Sequence, residues 1–216
     1  MSTLRLWAIG IDEVRGIFSA DPDTADRLRQ AAQQRFGAAG KPPPGLLGKL
    51  GPFLRGGGDP AAPRPGVPTS EDVEDLLTGR FVPPYRLAQA WNLLEFWLSD
   101  LAAGAGEWPL TEAGLSELDF DLARAEVPSR YTISDLFKAS LGISLTRCPG
   151  LAAGWVPGGH ALGMLASWPP ALAELSQENQ QLASGIIDFL NGFNQWTDQA
   201  RTEGRAQPDL IAIFRI

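Results

Sequence analysis

Residues 147–160, Arg-Cys-Pro-Gly-Leu-Ala-Ala-Gly-Trp-Val-Pro-Gly-Gly-His, hold the only cysteine and the only histidine of the chain. A cysteine and a histidine in reach of each other can do nucleophilic chemistry, with thiolate attacking and imidazole moving the proton. Cys148 stands before Pro149 and Gly150, in or beside a turn. His160 follows Pro157, Gly158 and Gly159 and opens an apolar helical stretch, His-Ala-Leu-Gly-Met-Leu-Ala-Ser-Trp. No local signature of a thiol hydrolase surrounds Cys148. A lone cysteine in a globular protein is usually an inert, buried small hydrophobe. The residues therefore read as bystanders first, with a thiol-dependent hydrolase or transferase using Cys148 and His160 as the alternative. Trp155, expected in a Gly/Pro-rich turn, joins Arg147 and His160 as the expected lining of a cleft for a ligand or partner.

Other chemistries are poorly supplied. One cysteine and one histidine cannot complete a zinc site without carboxylates that no motif marks, so no metal is expected. The glycines before His160 lack the Gly-Lys-Ser/Thr ending of a phosphate loop, and no dinucleotide fingerprint occurs, so no cofactor is expected. A Ser–His–Asp set would need His160, and no Gly-x-Ser-x-Gly elbow is present. Glu117, Asp119, Asp121 and Glu126 could pair for acid–base work. The interleaved Leu118, Phe120 and Leu122 point instead to one buried side and one acidic, solvated side.

The elements that must position these residues are mostly helical. Leu4–Ile11 reads as a strand, with Leu4, Leu6 and Ala8 opposite Arg5, Trp7 and Ile9. Asp209–Ile216 reads the same way, and pairing with the first strand would bury it. Between them, Asp21 caps a helix with Pro22 at its first position and Gly37 near its stop. Further helices are expected from Thr69 or Ser70 to Gly79, over 84–104 and over Leu110–Ala125. A short one opens on a Thr132-to-Asp135 capping pattern, and a long one runs from Ser176 to about Glu203. On the 84–104 helix Leu87, Trp91, Leu94, Leu98 and Leu101 form one apolar stripe, widened by Trp97. Trp168 is expected at a helix break before Pro169 and Pro170. The fold class is α+β: a mainly helical single domain over 1–216, with a small sheet that includes both terminal strands.

Residues 38–68 stand apart, with 8 of the 18 prolines and 8 of the 24 glycines. They form an expected basic, flexible insertion. Leu46, Leu47, Leu50, Phe53 and Leu54 fall there at helical spacing, but Gly48, Gly51 and Pro52 oppose a helix, so these side chains are expected to tuck onto the protein's own surface.

The net charge of −7 and seven tryptophans shape the expected partner. Nucleic acid is excluded as the main one, because phosphate binding needs clustered Lys and Arg. A single cysteine and an N-terminus without a secretory pattern fit a reducing cytoplasm. No apolar run nears the roughly 20 residues of a membrane span. The opening Trp-Ala-Ile-Gly-Ile-Asp-Glu-Val-Arg-Gly-Ile-Phe-Ser-Ala-Asp-Pro, the middle Ala-Trp-Asn-Leu-Leu-Glu-Phe-Trp-Leu and the closing Asp-Leu-Ile-Ala-Ile-Phe-Arg-Ile resemble the bacterial YfbM-like proteins and related actinobacterial families of unknown function. That resemblance implies a compact α+β domain and supplies no functional residues. The expected function is a non-catalytic cytoplasmic binding module. It would recognise a protein through an acidic, tryptophan-bearing face, and an immunity-type body blocking a basic toxin is one version.

Overall fold

The computed structural model describes residues 2–37 and 66–216. The insertion expected over 38–68, with its leucine-rich stretch, lies outside the described residues except for Gly66–Pro68. Four strands, β1 (Thr3–Ile9), β2 (Gly104–Pro109), β3 (Leu151–Val156) and β4 (Asp209–Arg215), form one antiparallel sheet in the order β2-β1-β4-β3. The two terminal strands pair at its centre, with Leu6 opposite Ala212 and Ile9 opposite Asp209, as the sequence predicts.

Helices cover both faces of the sheet. One face presents Trp7, Ile9, Ile211, Ile213, Leu151 and Ala153 to α1 (Ile11–Gly16), α2 (Pro22–Phe36), α3 (Ser70–Leu77) and α4 (Leu87–Leu101). The other presents Leu4, Leu6, Ala8, Leu210, Ala212 and Phe214 to α5 (Glu112–Arg124), α6 (Gly158–Ala171), α7 (Gln177–Leu190) and the start of α8 (Phe193–Glu203). A strand covered on both faces must be apolar at odd and even positions alike. That is why β1 sets Trp7 and Ile9 against Leu6 and Ala8.

Trp7, Trp91, Trp97 and Trp168 are fully buried, and each indole N–H has an acceptor. These are Ser99 Oγ at 2.9 Å, the Thr146 carbonyl at 2.9 Å, the Leu28 carbonyl at 3.1 Å and the Tyr131 carbonyl at 2.9 Å. Satisfying the N–H lets the ring contribute its whole apolar area to the core. Trp168 does not mark a helix break: α6 runs on through Pro169 and Pro170 to Ala171.

Carboxylates tie the elements together, across the sheet at Asp209 and within one layer at Asp119 and Asp121. Asp209, at the head of β4, accepts from the Ile11 amide at 2.9 Å and the Gly158 amide at 3.3 Å. One side chain thus caps helices on opposite faces of the sheet. Asp119 accepts from the Ile133 and Ser134 amides, doing the capping assigned in the sequence to Thr132. That segment makes only one 3-10 turn, Ser134–Phe137, not a helix. Asp121 is buried and accepts from the Asn179 amide group at 2.8 Å and the Ser176 backbone N–H at 3.1 Å.

The Asn179 hydrogen bond, then that of Ser176, hold the Asp121 carboxyl below the usual Asp range. A depressed folded value means the stabilisation is present above the unfolded value, about 3.9, and is lost as pH falls through the folded one. Asp121→Asn should therefore lower stability by a constant amount from pH 7 to about pH 5. Its difference from the parent should shrink below about pH 4. Urea midpoints across that range check this, and a gap that widens on acidification would refute it.

The long C-terminal helix of the sequence reading is two helices, interrupted at Asn191–Gly192. Gly192 carries the ring of Trp196 against its backbone; a Cβ there would sit 2.3 Å from that ring.

Candidate partner-binding surface

Cys148 and His160 sit beyond opposite ends of β3, a strand of six residues spanning about 20 Å. Cys148 is half-buried and packs on the face covered by α1–α4; its carbonyl accepts from the Leu151 amide. His160 lies edge-on to Tyr131, with ring centroids 5.0 Å apart, and Tyr131 packs on the opposite face. The structure does not bring thiol and imidazole together. A thiol reagent should accordingly label Cys148 at least an order of magnitude more slowly in the folded protein at pH 7 than in denaturant. Faster labelling in the folded state would restore a nucleophilic role.

Arg147 donates to the Ala153 carbonyl at 2.7 Å, closing part of the outer edge of β3. Trp155 is on β3, not in a turn. Its N–H donates to the Ser140 carbonyl at 3.0 Å, and the Arg15 guanidinium lies over its ring. Among the described residues, Arg147, Cys148, Trp155 and His160 do not line any of three clefts. One cleft, about 410 Å³, lies between α2 and α3; another, about 450 Å³, lies over β1 and β2 beside α4; a third, about 570 Å³, is rimmed by Glu13, Asp21, Arg27, Asp100, Glu203 and Arg205. Among the described residues no group of three or more His, Cys, Asp or Glu is placed to hold a metal ion. Nor is any helix there long and apolar enough to cross a membrane.

The exposed large aromatics are not tryptophans. Phe81 is 74% exposed and Tyr85 78% exposed, both in the connection between α3 and α4. That connection is rigidly built. Its Arg86 is buried and grips Asp72 Oδ1 at 2.6 Å and Asp75 Oδ2 at 2.8 Å on α3, with Glu71 Oε1 at 2.8 Å. Thr69 and Asp72 form a reciprocal capping box at the start of α3. Gly79 has φ +64°, and a Cβ there would meet the Phe18 carbonyl oxygen at 2.7 Å. Val82 is buried as an anchor, and Pro83 and Pro84 restrict the backbone. Phe81, Pro84, Tyr85 and Ala88 then face solvent beside Arg80. The sequence reading passed over this site. Its signal was an aromatic on either side of Val-Pro-Pro, Phe81 to Tyr85, in a link between two helices.

A third exposed aromatic is Phe120, at 68%. It lies on the solvent side of α5, where Leu115, Leu118 and Leu122 face the core. The acidic side expected from the sequence is thus divided. Asp119 and Asp121 hold backbone and amide groups inward, while Glu117 and Glu126 are exposed.

No family model, curated protein or solved structure matches the chain.

Proposed function

We propose that this protein is a non-catalytic cytoplasmic module that binds a protein partner through the Arg80–Tyr85 connection. The observation that carries this reading is the pair Phe81 and Tyr85, held out to solvent by a backbone fixed from beneath by Arg86, Gly79 and Val82. Exposed aromatics on a pre-ordered loop bring contact area without the entropy cost of ordering a flexible segment. Such residues dominate the energetics of many interfaces. The half-buried free thiol of Cys148 supports a reducing compartment. A toxin-neutralising body is one concrete form of the proposal.

The test places a photo-crosslinking phenylalanine derivative at 81 or 85, and at exposed Gln195 as a control, in the cells that make the protein. A discrete protein adduct from 81 and 85 but not from 195 is the expected result. With the partner in hand, Phe81→Ala with Tyr85→Ala should weaken binding at least ~100-fold. Equal adduct patterns at all three positions, or none, would remove the proposal.

A further inference from the structure

The two outer strands of the sheet differ. The β3–β4 register continues as a bond from the Ile216 N–H to the Gly150 carbonyl, so Leu151 and Ala153 turn their peptide groups away from β4. That edge is covered: the Leu151 N–H donates to the Cys148 carbonyl, and the Ala153 carbonyl accepts from Arg147. The β1–β2 register continues as a bond from the Leu110 N–H to the Ser2 carbonyl. Gly106 and Trp108 therefore turn their peptide groups to β1, and Ala105 and Glu107 turn theirs outward. Among the described residues nothing bonds to the N–H or C=O of Ala105 or Glu107, and both residues are exposed. Two donors and two acceptors stand at strand spacing on an open edge.

The cleft of about 450 Å³ opens beside that edge. Ala105, Gly106 and Glu107 form one side of it. Asn92 and Phe96 of α4 form another, with Phe36 from the end of α2 packed edge-on against Phe96 at 5.3 Å. A strand added to β2 would set alternate side chains on this α4 side of the sheet, next to the small Ala105. Main-chain bonding along an edge, with a pocket for alternate side chains, is how extended peptides are captured. The charges choose among peptides. Glu95 and Glu107 are held by Arg5, and Glu95 also by Arg215. Arg35 is exposed, lines the same cleft and pairs with no carboxylate among the described residues. The insertion that follows it in sequence, 38–68, carries four cations against Asp59, so it does not complement Arg35. We infer that the β2 edge takes up an extended acidic segment of a partner protein. That segment bonds to Ala105 and Glu107 through its main chain and sets a carboxylate against Arg35. The site shares no residue with the Phe81–Tyr85 loop.

The probe is a phage library of random short peptides, panned against the full chain. The expected ligands carry Asp or Glu beside β-branched or aromatic residues. A synthetic peptide of the selected sequence is then followed by fluorescence anisotropy. It should bind weaker by about tenfold or more to Ala105→Pro, which removes an outward N–H and no bond to β1. Arg35→Glu, which leaves the main chain intact, should weaken it as much. Thermal melts check that both variants fold like the parent. Amide exchange reads the edge directly: the Ala105 and Glu107 N–H groups should exchange fast in the free chain and slow by about tenfold or more with peptide bound, while those of Gly106 and Trp108 are slow in both. Phe81→Ala with Tyr85→Ala should leave peptide binding unchanged. Selection of basic peptides or of none, binding indifferent to Arg35→Glu, or exchange at Ala105 and Glu107 that peptide does not slow each overturns the inference. A dimer that protects the same two amides also overturns it, giving the edge to a second copy. Peptide binding that appears only once residues 38–65 are deleted overturns it too, giving the edge to the chain's own insertion. Loss of the adduct at 81 with peptide binding intact overturns the loop proposal instead, so the two fail separately.

Discussion

Arg86→Ala should cost about 4–5 kcal/mol and lower the melting temperature by on the order of 10 °C. The residue is buried, and its guanidinium holds Asp72, itself buried, at 2.6 Å and Asp75 at 2.8 Å. Removing the cation leaves the buried carboxylates of Asp72 and Asp75 with no compensating charge. Arg86→Lys should recover little, because one ammonium cannot reproduce a fork that reaches Asp72, Asp75 and Glu71 together. The same change should loosen the connection that presents Phe81 and Tyr85, so partner crosslinking from position 81 should fall with stability. Phe81→Ala, by contrast, removes an exposed ring and should leave the melting temperature within about 1–2 °C. Urea or thermal unfolding of the three variants checks this. A loss below about 1 kcal/mol for Arg86→Ala would mean that the loop is held by something else.

Glu95→Ala should come next, at about 3 kcal/mol. Glu95 is 2% exposed on α4 and holds Arg5 of β1 at 2.5 Å and Arg215 of β4 at 2.7 Å. It thereby locks a helix onto the two central strands. Arg5 also reaches Glu107 of β2 at 3.0 Å. The cost sits at the low end of the range for a broken buried pair because both guanidiniums keep a path to water. Glu95→Gln should lose less, since its amide oxygen still accepts a hydrogen bond. Equal stability of the two variants would show that charge, and not the acceptor, carries the effect; an unchanged melting temperature in both would refute the role of Glu95.

Some of the candidate sites were open to reading and some were not. The bystander reading of Cys148 rested on its isolation from any hydrolase signature; the structure adds only that β3 (Leu151–Val156) lies between it and His160. That strand itself, Leu-Ala-Ala-Gly-Trp-Val, lacks the β-branched run that marks a strand. Its small residues are there because backbone lies against it: a Cβ on Gly154 would be 2.2 Å from the Leu136 carbonyl oxygen. β2, Gly-Ala-Gly-Glu-Trp-Pro, was hidden for a related reason: indole rings lie on its glycines, Trp196 on Gly104 and Trp108 on Gly106. Phe120 was grouped with Leu118 and Leu122 on one buried side; at the 3.6-residue spacing of α5 it turns away from them into solvent.

Local chemistry, legible from residue order, sets the helix starts at Asp21, Thr69 and Ser176, whose side chains each accept from amides of the turn they open. Short apolar runs likewise make the terminal segments strands, and pairing in a sheet buries them. These are short-range effects, acting within a turn or a pleat. Which glycine-rich segments become strands, which carboxylates turn inward as caps, and which aromatics are left in water depend on surfaces brought together from distant parts of the chain. Burial and close backbone approach decide them, and both exist only once the two helical layers have closed on the sheet.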